Sequence, residues 1–376
     1  MRHLRILAGI DLTIGGTGRP DSIGLYYAKI GIGTPPNNYY VQVDTGSDIM
    51  WVITALHVKD APEEDIMKLT WRPDCFGNSP CIYEQHYGDG SYSRGYFVED
   101  VVQYDEVSGD LRTKSGNGSV TFGCGASQSG GLISSDEAFE GILGFGKSNS
   151  SILSQLASSG KVKKMFAHCL DGVNGGGIFA IGNVVQPKVN MTSLVPNQPH
   201  YRVNMMEVEV GYQFLNLSVS MNGVIIDSGT TLAYLPEVIY CPLVKNILSW
   251  QPDLKLRHDE YTCFKYSGSV DDGFPQVTFH FKNSLSLRVR PHEYLVPVHL
   301  VLSNKLILYD LENQAIGWTE YNCSSSIKLK DEITEADRLV GSRALSSGSC
   351  LTLQMALTFL LLATLLHNYI FNWLIW

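Results

Sequence analysis

The sequence predicts an all-β protein in which two lobes share one cleft. Three observations support this fold class. A strand-and-turn motif occurs twice, once in each half of the chain. Glycine (36 residues) and tyrosine (19 residues) are frequent, and short runs rich in Val, Ile and Thr alternate with turn residues, which favours strands. With 376 residues and 44% hydrophobic content, the chain is long enough for two domains.

The repeated motif is built around an aspartate. Tyr39–Trp51 has the sequence YYVQVDTGSDIMW and Gly223–Leu235 has GVIIDSGTTLAYL, which places Asp44 and Asp227 at equivalent positions. In both copies an alternating apolar run leads into a turn whose glycine allows a sharp bend, so that a carboxylate is presented at the strand end. One such aspartate could equally well cap a turn. Two of them, one in each half, predict that each lobe contributes a carboxylate to a shared cleft.

These paired motifs resemble those of the pepsin-like aspartic protease family, in particular its plant, nepenthesin-like branch, whose members often carry a glycosylphosphatidylinositol (GPI) anchor. The resemblance covers about residues 19 to 325. It implies a bilobal pepsin-like fold with the cleft between two β-rich lobes, and it implies that Asp44 and Asp227 are catalytic. The same resemblance assigns supporting roles to the residues that follow each aspartate, which are Gly46, Ser47, Gly229 and Thr230. No cofactor and no metal are expected.

The activity implied by the resemblance is hydrolysis of peptide bonds. Two carboxylates a few ångströms apart cannot both ionise easily, so the pair would hold one proton. The ionised carboxylate would deprotonate a water molecule while the protonated one polarises the peptide carbonyl. Ser47 and Thr230 would hydrogen-bond the outer carboxylate oxygens, and a peptide or protein substrate would lie extended in the cleft.

The predicted domains follow the duplication. We expect an N-terminal tail or pro-segment remnant (1–24), a first lobe with Asp44 (25–196), a second lobe with Asp227 (197–325), a linker (326–350) and a hydrophobic C-terminal anchor signal (351–376). The apolar run from Ile6 is shorter than the roughly 7–15 residues of a signal peptide. The true start is therefore expected upstream, with a cytosolic isoform as the alternative.

In the first lobe, strands are predicted on both sides of the turn Gly33–Pro36, and a solvated acidic loop is expected at Glu63–Asp65. The segment Gly141–Gly146 resembles one that passes beside the first aspartate loop in the family. A short helix is predicted at Ser151–Ser159.

The segment His86–Ser91 predicts a hairpin with a two-residue turn near Asp89–Gly90. It resembles the family's flap, which implies that Tyr87 and Gly88 close over the substrate and that Trp51 hydrogen-bonds Tyr87. Without the resemblance, a tyrosine and a tryptophan on strands would more often belong to the core.

The second lobe is predicted to contain a helix at Pro236–Trp250 and strands at 276–282, 285–290 and 305–310. It also departs from the family. Relatives carry a further strand, equivalent to Ile142-Leu143-Gly144, between Tyr294 and Leu302, but no glycine occurs here from Tyr294 to Ala315. We therefore expect the loop that bears Asp227 to lack its supporting strand, and Cys263 to lack a partner.

This departure leaves two hypotheses from different classes. The first is an active aspartic endopeptidase, favoured by retention of both aspartates. The second is a catalytically impaired relative that binds peptides or proteins or acts as an inhibitor, because loss of a supporting element can abolish activity while both carboxylates remain.

The net charge of −9 argues against nucleic acid as a partner, because phosphate binding needs a basic surface.

The cysteines and glycosylation sites predict passage through the secretory pathway. The eight cysteines form no C-x-x-C pair and no zinc-type spacing with histidine, so disulfides are expected, with a pairing that the spacing does not fix. N-glycosylation sequons occur at Asn117, Asn149, Asn190, Asn216 and Asn322.

The C-terminus predicts attachment to a membrane. The segment after Cys323 is polar and small, which is typical of a linker. The apolar run Leu351–Leu366 follows the small residues Ser346–Ser349 and fits a GPI signal, with a transmembrane anchor as the alternative because the tail reaches the roughly 20 residues needed to span. We expect a monomer at the plasma-membrane surface or outside the cell.

Overall fold

The structure, a computed structural model, describes residues 9–16, 26–53, 59–60, 81–132, 140–217, 221–258, 262–295 and 301–343. Strands predominate in these ranges and the helices are few and short, so the all-β prediction is confirmed. The predicted acidic loop at 63–65 and the predicted anchor signal at 351–376 lie outside the described residues.

The described residues of the first half contain twelve strands and one α-helix. The strands are β1 (Ile10–Asp11), β2 (Ile14–Gly15), β3 (Tyr27–Ile32), β4 (Asn37–Asp44), β5 (Trp51–Val52), β6 (Lys59–Asp60), β7 (Ile82–His86), β8 (Tyr92–Gly109), β9 (Arg112–Gln128), β10 (Gly141–Gly144), β11 (Met165–Leu170) and β12 (Gly177–Ile181). The helix is α1 (Ile152–Ser158). The strands expected around the Gly33–Pro36 turn and the helix expected near residue 151 are therefore confirmed.

The second half continues with thirteen strands and three α-helices among its described residues, and its last two strands, at 326–330 and 337–341, are described below. The strands are β13 (Val184–Gln186), β14 (Met191–Ser193), β15 (Arg202–Val210), β16 (Gln213–Phe214), β17 (Met221–Ile225), β18 (Arg257–His258), β19 (Thr262–Cys263), β20 (Val277–Phe281), β21 (Ser286–Val289), β22 (Lys305–Asp310) and β23 (Ala315–Glu320). The helices are α2 (Glu237–Ser249), α3 (Val270–Gly273) and α4 (Pro291–Tyr294). The helix and the three strands predicted for this half are confirmed to within two residues.

One large sheet contains strands from both halves. Its order is β14-β23-β22-β11-β12-β1-β8-β9-β5-β10-β4-β3-β2. The antiparallel pairing of β11 with β22, from Met165 opposite Asp310 to Cys169 opposite Leu306, brings residues 305–310 back beside the first half. A smaller sheet, β16-β15-β20-β21 with β17 on β15, belongs to the second half alone. The chain therefore returns across the boundary predicted near residue 196.

The first described residues are part of the sheet, and the prediction of an N-terminal tail is wrong for them. Ile10 pairs with Ile181 on β12 and with Glu106 on β8, and Ile14 pairs with Ala28 on β3. Both isoleucines are fully buried. The alternation of apolar residues at positions 10, 12 and 14 with polar residues between them is the pattern of a half-buried strand.

The predicted linker also forms strands over part of its length. The segments β24 (Ser326–Lys330) and β25 (Asp337–Gly341) pair with each other, and β24 pairs with β13. Ile327 and Leu329 are buried while the lysines between and after them are not. The linker was predicted because the segment is polar overall. A strand with one solvated face needs an apolar residue only at every second position, and this segment meets that requirement.

A disulfide ties this C-terminal segment to the large sheet. Cys169 on β11 is bonded to Cys323, which lies 154 positions further along the chain. Cys81 is also disulfide-bonded, whereas Cys124, Cys241 and Cys263 are free thiols. The expectation that Cys263 lacks a partner is confirmed.

Replacing both Cys169 and Cys323 by serine should lower the free energy of unfolding by roughly 2–5 kcal/mol, because the crosslink closes a long loop in the unfolded chain. Urea denaturation of the oxidised proteins measures this difference. Cys263→Ser is the matched control, since that thiol is exposed and free. Equal midpoints for the double variant and the control would contradict a stabilising role for this bond.

Candidate active site

The two motif turns face each other at the centre of the molecule. Asp44 ends β4, and Asp227 lies two residues after β17. A Cβ atom built on Gly46 would lie 2.4 Å from an oxygen of Asp227, and one built on Gly229 would lie 2.3 Å from an oxygen of Asp44. Each glycine therefore lies against the carboxylate of the opposite turn, and a larger residue at either position would push the turns apart.

Equivalent donors hold the two carboxylates. The backbone N–H of Gly46 donates to Asp44 at 2.8 Å and the hydroxyl of Ser47 donates to its other oxygen at 2.5 Å. At the second turn, the N–H of Gly229 donates to Asp227 at 2.9 Å and the hydroxyl of Thr230 at 2.5 Å. The hydrogen bonds expected of Ser47 and Thr230 are thus present. Each carboxylate therefore accepts one hydrogen bond on each of its two oxygens from its own turn.

Thr45 and Ser228 connect the two turns directly. The backbone N–H of Ser228 donates to the hydroxyl of Thr45 at 2.9 Å, and the N–H of Thr45 donates to the hydroxyl of Ser228 at 3.2 Å. The Ser228 hydroxyl also donates to the carbonyl of Val43 at 3.1 Å. Sequence reasoning assigned these residues no role. The available signal was a hydroxyl residue between the aspartate and the glycine in both copies.

Burial and proximity perturb the first carboxyl group. Asp44 is 5% exposed. Its pKa rises from 3.8 to about 7, first because of burial and second because of the negative charge of Asp227, while the hydrogen bonds from Ser47 and Gly46 oppose the rise. Such a pair retains a proton in weakly acidic solution, as two adjacent carboxyl groups must.

The predicted flap hairpin is present but its turn differs. β7 pairs with the start of β8 up to His86 opposite Tyr92, and the N–H of Tyr87 donates to the carbonyl of Ser91. Gly88, Asp89 and Gly90 therefore form a three-residue loop, and the predicted two-residue turn is wrong. Gly90 has a φ of 84°, which glycine adopts without strain, and this supplies the left-handed third residue of such a loop.

Tyr87 links this hairpin to the first aspartate. The indole N–H of Trp51 donates to the Tyr87 hydroxyl at 2.6 Å, as the resemblance implied. Burial raises the pKa of Tyr87, the hydrogen bond from Trp51 opposes the rise, and the charge of Asp44 adds to it. Gly88 is exposed, and a side chain at its position would meet no atom within 4 Å. The structure therefore brings Tyr87 and Trp51 to the site and leaves Gly88 at the hairpin tip.

The first aspartate turn has a supporting strand. β10 runs parallel to β4, with Leu143 opposite Val43 and Gly144 opposite Asp44. The N–H of Phe145 then donates to the carbonyl of Asp44 at 2.7 Å. The predicted passage of this segment beside the first turn is confirmed.

The second turn lacks that support within the described residues. β17 pairs with β15 alone in those ranges. Ile225, which corresponds to a β10-paired residue of β4, is 40% exposed, and Leu232 is 42% exposed. A groove of about 510 Å³ borders this side, lined chiefly by apolar residues of β17, β20, β21 and α2 and by the Asp227 turn.

Two further features of the described chain concern metals and membranes. Among the described residues, no group of three or more His, Cys, Asp or Glu side chains is arranged to hold a metal ion. In the same ranges, no helix combines the length and hydropathy needed to cross a bilayer.

Comparisons with known proteins give consistent matches. The family domains described as Xylanase inhibitor N-terminal and Xylanase inhibitor C-terminal match residues 26–183 and 200–300. Aspartic proteinase 36 from Arabidopsis thaliana is 43% identical, over 93% of this chain and 84% of its own. Aspartic proteinase nepenthesin-2 from Nepenthes gracilis is 24% identical, over 81% and 79% of the two chains.

Solved structures match the fold at low sequence identity. Conglutin gamma, a basic 7S globulin from lupine seeds, has a TM-score of 0.69 at 16% identity, covering 84% of this chain and 96% of its own. Basic 7S globulin from soybean has a TM-score of 0.65 at 16% identity, covering 83% and 96%.

Asp44→Asn should make the folded protein more stable at about pH 8 by roughly 2–4 kcal/mol, and should have little effect near pH 4. A carboxyl group whose pKa is raised on folding binds more protons in the folded state, so its favourable contribution is present at acidic pH and is lost as the pH rises through about 7. Unfolding free energies across this range measure the effect. Asp253→Asn, at an exposed position, is the control. Destabilisation by Asp44→Asn at about pH 8 would contradict the raised pKa.

Proposed function

We propose that this chain, which belongs to the pepsin-like aspartic protease family, is an aspartic endopeptidase that hydrolyses peptide bonds. The observation that carries the proposal is the set of crossed hydrogen bonds between Thr45 and Ser228. These bonds hold the two turns together, so that Gly46 lies against Asp227 and Gly229 lies against Asp44, with equivalent donors on both carboxylates. If the two aspartates only capped their own turns, their carboxylates would have no need to lie close to each other.

The proposed mechanism uses the one proton that the pair retains. The ionised carboxylate removes a proton from a water molecule, which attacks the peptide carbonyl carbon. The protonated carboxyl group donates to the carbonyl oxygen, and a tetrahedral intermediate forms. The carboxyl group that took the proton from water then donates it to the amide nitrogen, while the other carboxylate takes a proton from a hydroxyl of the intermediate. The C–N bond breaks, the new carboxylic acid and amine leave, and the pair again holds one proton. Donors from Ser47 and Thr230 keep both carboxylates oriented throughout.

The proposed substrate is a peptide or protein segment in an extended conformation. The hairpin that carries Tyr87 is joined to the first lobe of the site by the hydrogen bond from Trp51, so it is placed to cover a bound peptide. Covering the site excludes water and strengthens the electrostatic interactions within it.

A second candidate function is binding or inhibition of a protein partner without hydrolysis. It is favoured by the unequal support of the two turns, because β17 has a partner on one side only in the described chain. A turn held less firmly by its sheet could displace Asp227 from the geometry that hydrolysis requires.

We further propose that the protein enters the secretory pathway as a glycoprotein and acts as a monomer outside the cell or at the plasma-membrane surface, attached through its C-terminal apolar segment. Two observations support the secretory route. The asparagines of all five sequons are exposed, and the Cys169–Cys323 disulfide needs an oxidising compartment.

Asp44→Asn and Asp227→Asn should each lower kcat on a denatured protein substrate at acidic pH by roughly 100- to 10,000-fold, because each variant removes one partner of the proton transfer. Product formation by gel or mass spectrometry measures the rates, and circular dichroism confirms folding. Asp253→Asn, which changes an exposed carboxylate, should retain wild-type activity.

The second candidate function predicts a different result in the same experiment. A folded wild-type protein without turnover at any acidic pH would reject the endopeptidase and favour the binding protein. If both aspartate variants are as active as the wild type, the paired-carboxylate mechanism is rejected and the activity is that of a contaminating protease.

Protein expressed in a plant cell should migrate faster on a denaturing gel after enzymatic removal of N-linked sugars. Replacing all five sequon asparagines by glutamine should abolish this shift, because the acceptor side chain is then absent. A wild-type protein whose mobility does not change would contradict the proposed secretory route and favour a cytosolic form.

A further inference from the structure

A polar cleft of about 300 Å³ lies in the second half of the molecule. It is bordered by β21, by β23 and by residues 188–190, which precede β14. Its volume is at the lower end of the range that holds small ligands. None of its lining residues belongs to the two aspartate turns, so the proposed hydrolysis gives this cleft no role.

Two cations in this cleft are free to bind a ligand. Lys305 and Glu320 also line the cleft, but each already has an ion-pair partner, at 2.8 and 3.1 Å. Lys188 and Arg288 are exposed, and their side chains make no hydrogen bond or ion pair with the described residues. They therefore offer uncommitted N–H donors to a ligand that is rich in oxygen.

The indole of Trp318 is a fixed part of the cleft wall. Its N–H donates to the carbonyl of Ser286 at 2.8 Å, and its ring meets Phe281 edge-on with a centroid separation of 4.9 Å. A sugar ring suits such surroundings. Its face of C–H groups packs on an aromatic ring, and the hydroxyl groups at its rim accept hydrogen bonds from cations.

The attachment point for a sugar is itself part of the cleft. Asn190 lines it, is exposed, and begins the sequon Asn190-Met191-Thr192. The side chain of Asn190 makes no hydrogen bond with the described residues. A glycan on its amide nitrogen would therefore have its first sugar at this cleft.

Thr192 gives a second, independent indication that this sequon is used. It is 1% exposed, and its Oγ1 atom has no hydrogen-bond partner among the described residues. A buried hydroxyl without a partner costs free energy, and a valine of the same shape would avoid that cost. The folded chain gives this hydroxyl no role, whereas N-glycosylation requires it.

The other sequons differ in this respect. In three of them the hydroxyl has a partner that accounts for it within the fold. These pairs are the hydroxyl of Ser119 with Glu99 (2.6 Å), that of Ser151 with the N–H of Ser154 (3.3 Å) and that of Ser324 with Asp171 (2.8 Å). The hydroxyl residue of the remaining sequon, Ser218, lies outside the described residues.

We propose that Asn190 carries an N-linked glycan and that its first sugar, an N-acetylhexosamine, lies in this cleft against Trp318 and accepts hydrogen bonds from Lys188 and Arg288. This inference rests on the secretory route proposed above. It adds which sequon is used and what the attached sugar contacts.

The modification is transfer of an oligosaccharide from a polyprenyl pyrophosphate carrier by the cell's glycosyltransferase. A C–N bond forms between the Asn190 amide nitrogen and the anomeric carbon, and the C–O bond to the carrier breaks. The amide loses one proton to the medium, and the polyprenyl pyrophosphate leaves. Because Thr192 is buried opposite Ile316, transfer has to precede the pairing of β14 with β23.

Glycopeptide mass spectrometry of protein expressed in a plant cell tests the attachment. Most copies should carry sugar on Asn190. Thr192→Val should remove this sugar because the acceptor hydroxyl is lost, and Thr192→Ser should retain it. An unmodified Asn190 in the wild type would overturn the proposal. Sugar on other sequons would then still support the secretory route, whereas a protein without sugar at all five would reject both.

Thermal unfolding tests the contact with the cleft. Asn190→Gln should lower the melting midpoint of the plant-expressed protein by about 2–4 °C, because the hydrogen bonds to the sugar are lost. The same substitution in protein produced without sugar in bacteria should change it by less than about 1 °C. Asn117→Gln, at an exposed position on β9, is the matched control in plant cells. Equal shifts for Asn190→Gln in the two hosts would overturn the contact.

A double-mutant cycle separates the contact from the attachment. Replacing both Lys188 and Arg288 by alanine keeps the sequon, and in this background the shift caused by Asn190→Gln should fall below about 1 °C. Arg112→Ala, which removes an exposed cation on β9, should leave the shift unchanged. An equal shift in all three backgrounds would overturn the proposed hydrogen bonds. If Asn190→Gln does not fold, enzymatic removal of the sugar from the folded protein replaces it.

Discussion

The crossed hydrogen bonds between Thr45 and Ser228 are the constraint on which the site depends. Two buried or half-buried carboxyl groups repel each other when both are ionised, so they stay together only if other interactions hold their turns in place. The crossed bonds do this with backbone N–H groups, which cannot move without moving the turns themselves. Glycines on both sides allow the close approach. Burial is the largest cause of the raised pKa of Asp44, and this enforced proximity to the charge of Asp227 raises it further.

The two turns are held unequally, and this increases the importance of the contacts between them. β10 supports the first turn through a parallel ladder and through the bond from Phe145 to Asp44. The second turn has no such strand in the described chain, and its apolar residues border a groove instead. The hydrogen bond from the Ser228 hydroxyl to the Val43 carbonyl therefore restrains the second turn against the better-supported first half. This arrangement is compatible with both candidate functions. It holds the Asp227 turn against the Asp44 turn, while one side of the Asp227 turn has no neighbouring strand among the described residues.

The site also depends on segments at both ends of the described chain. β1 lies between β8 and β12, and β12 pairs with β11, which carries His168 and Cys169. The disulfide from Cys169 to Cys323 then fixes the start of β24 against the same sheet. The packing that orients the aspartates thus involves residues from position 10 to position 341.

The sequence by itself determined the all-β class, the two aspartates and their supporting hydroxyl residues, because these are local: a period of two, a turn glycine and a duplicated motif can be recognised within about a dozen positions. It also indicated that, within the described residues, the Asp227 turn has no supporting strand like β10, through the absence of glycine from Tyr294 to Ala315. The order of the large sheet, the strands at 10–15 and 326–341, the disulfide pairing and the crossed contacts of Thr45 and Ser228 were decided only by the tertiary structure. Each of these depends on pairing between residues far apart in the chain, and a threonine or serine acquires its role from the partner that folding places beside it.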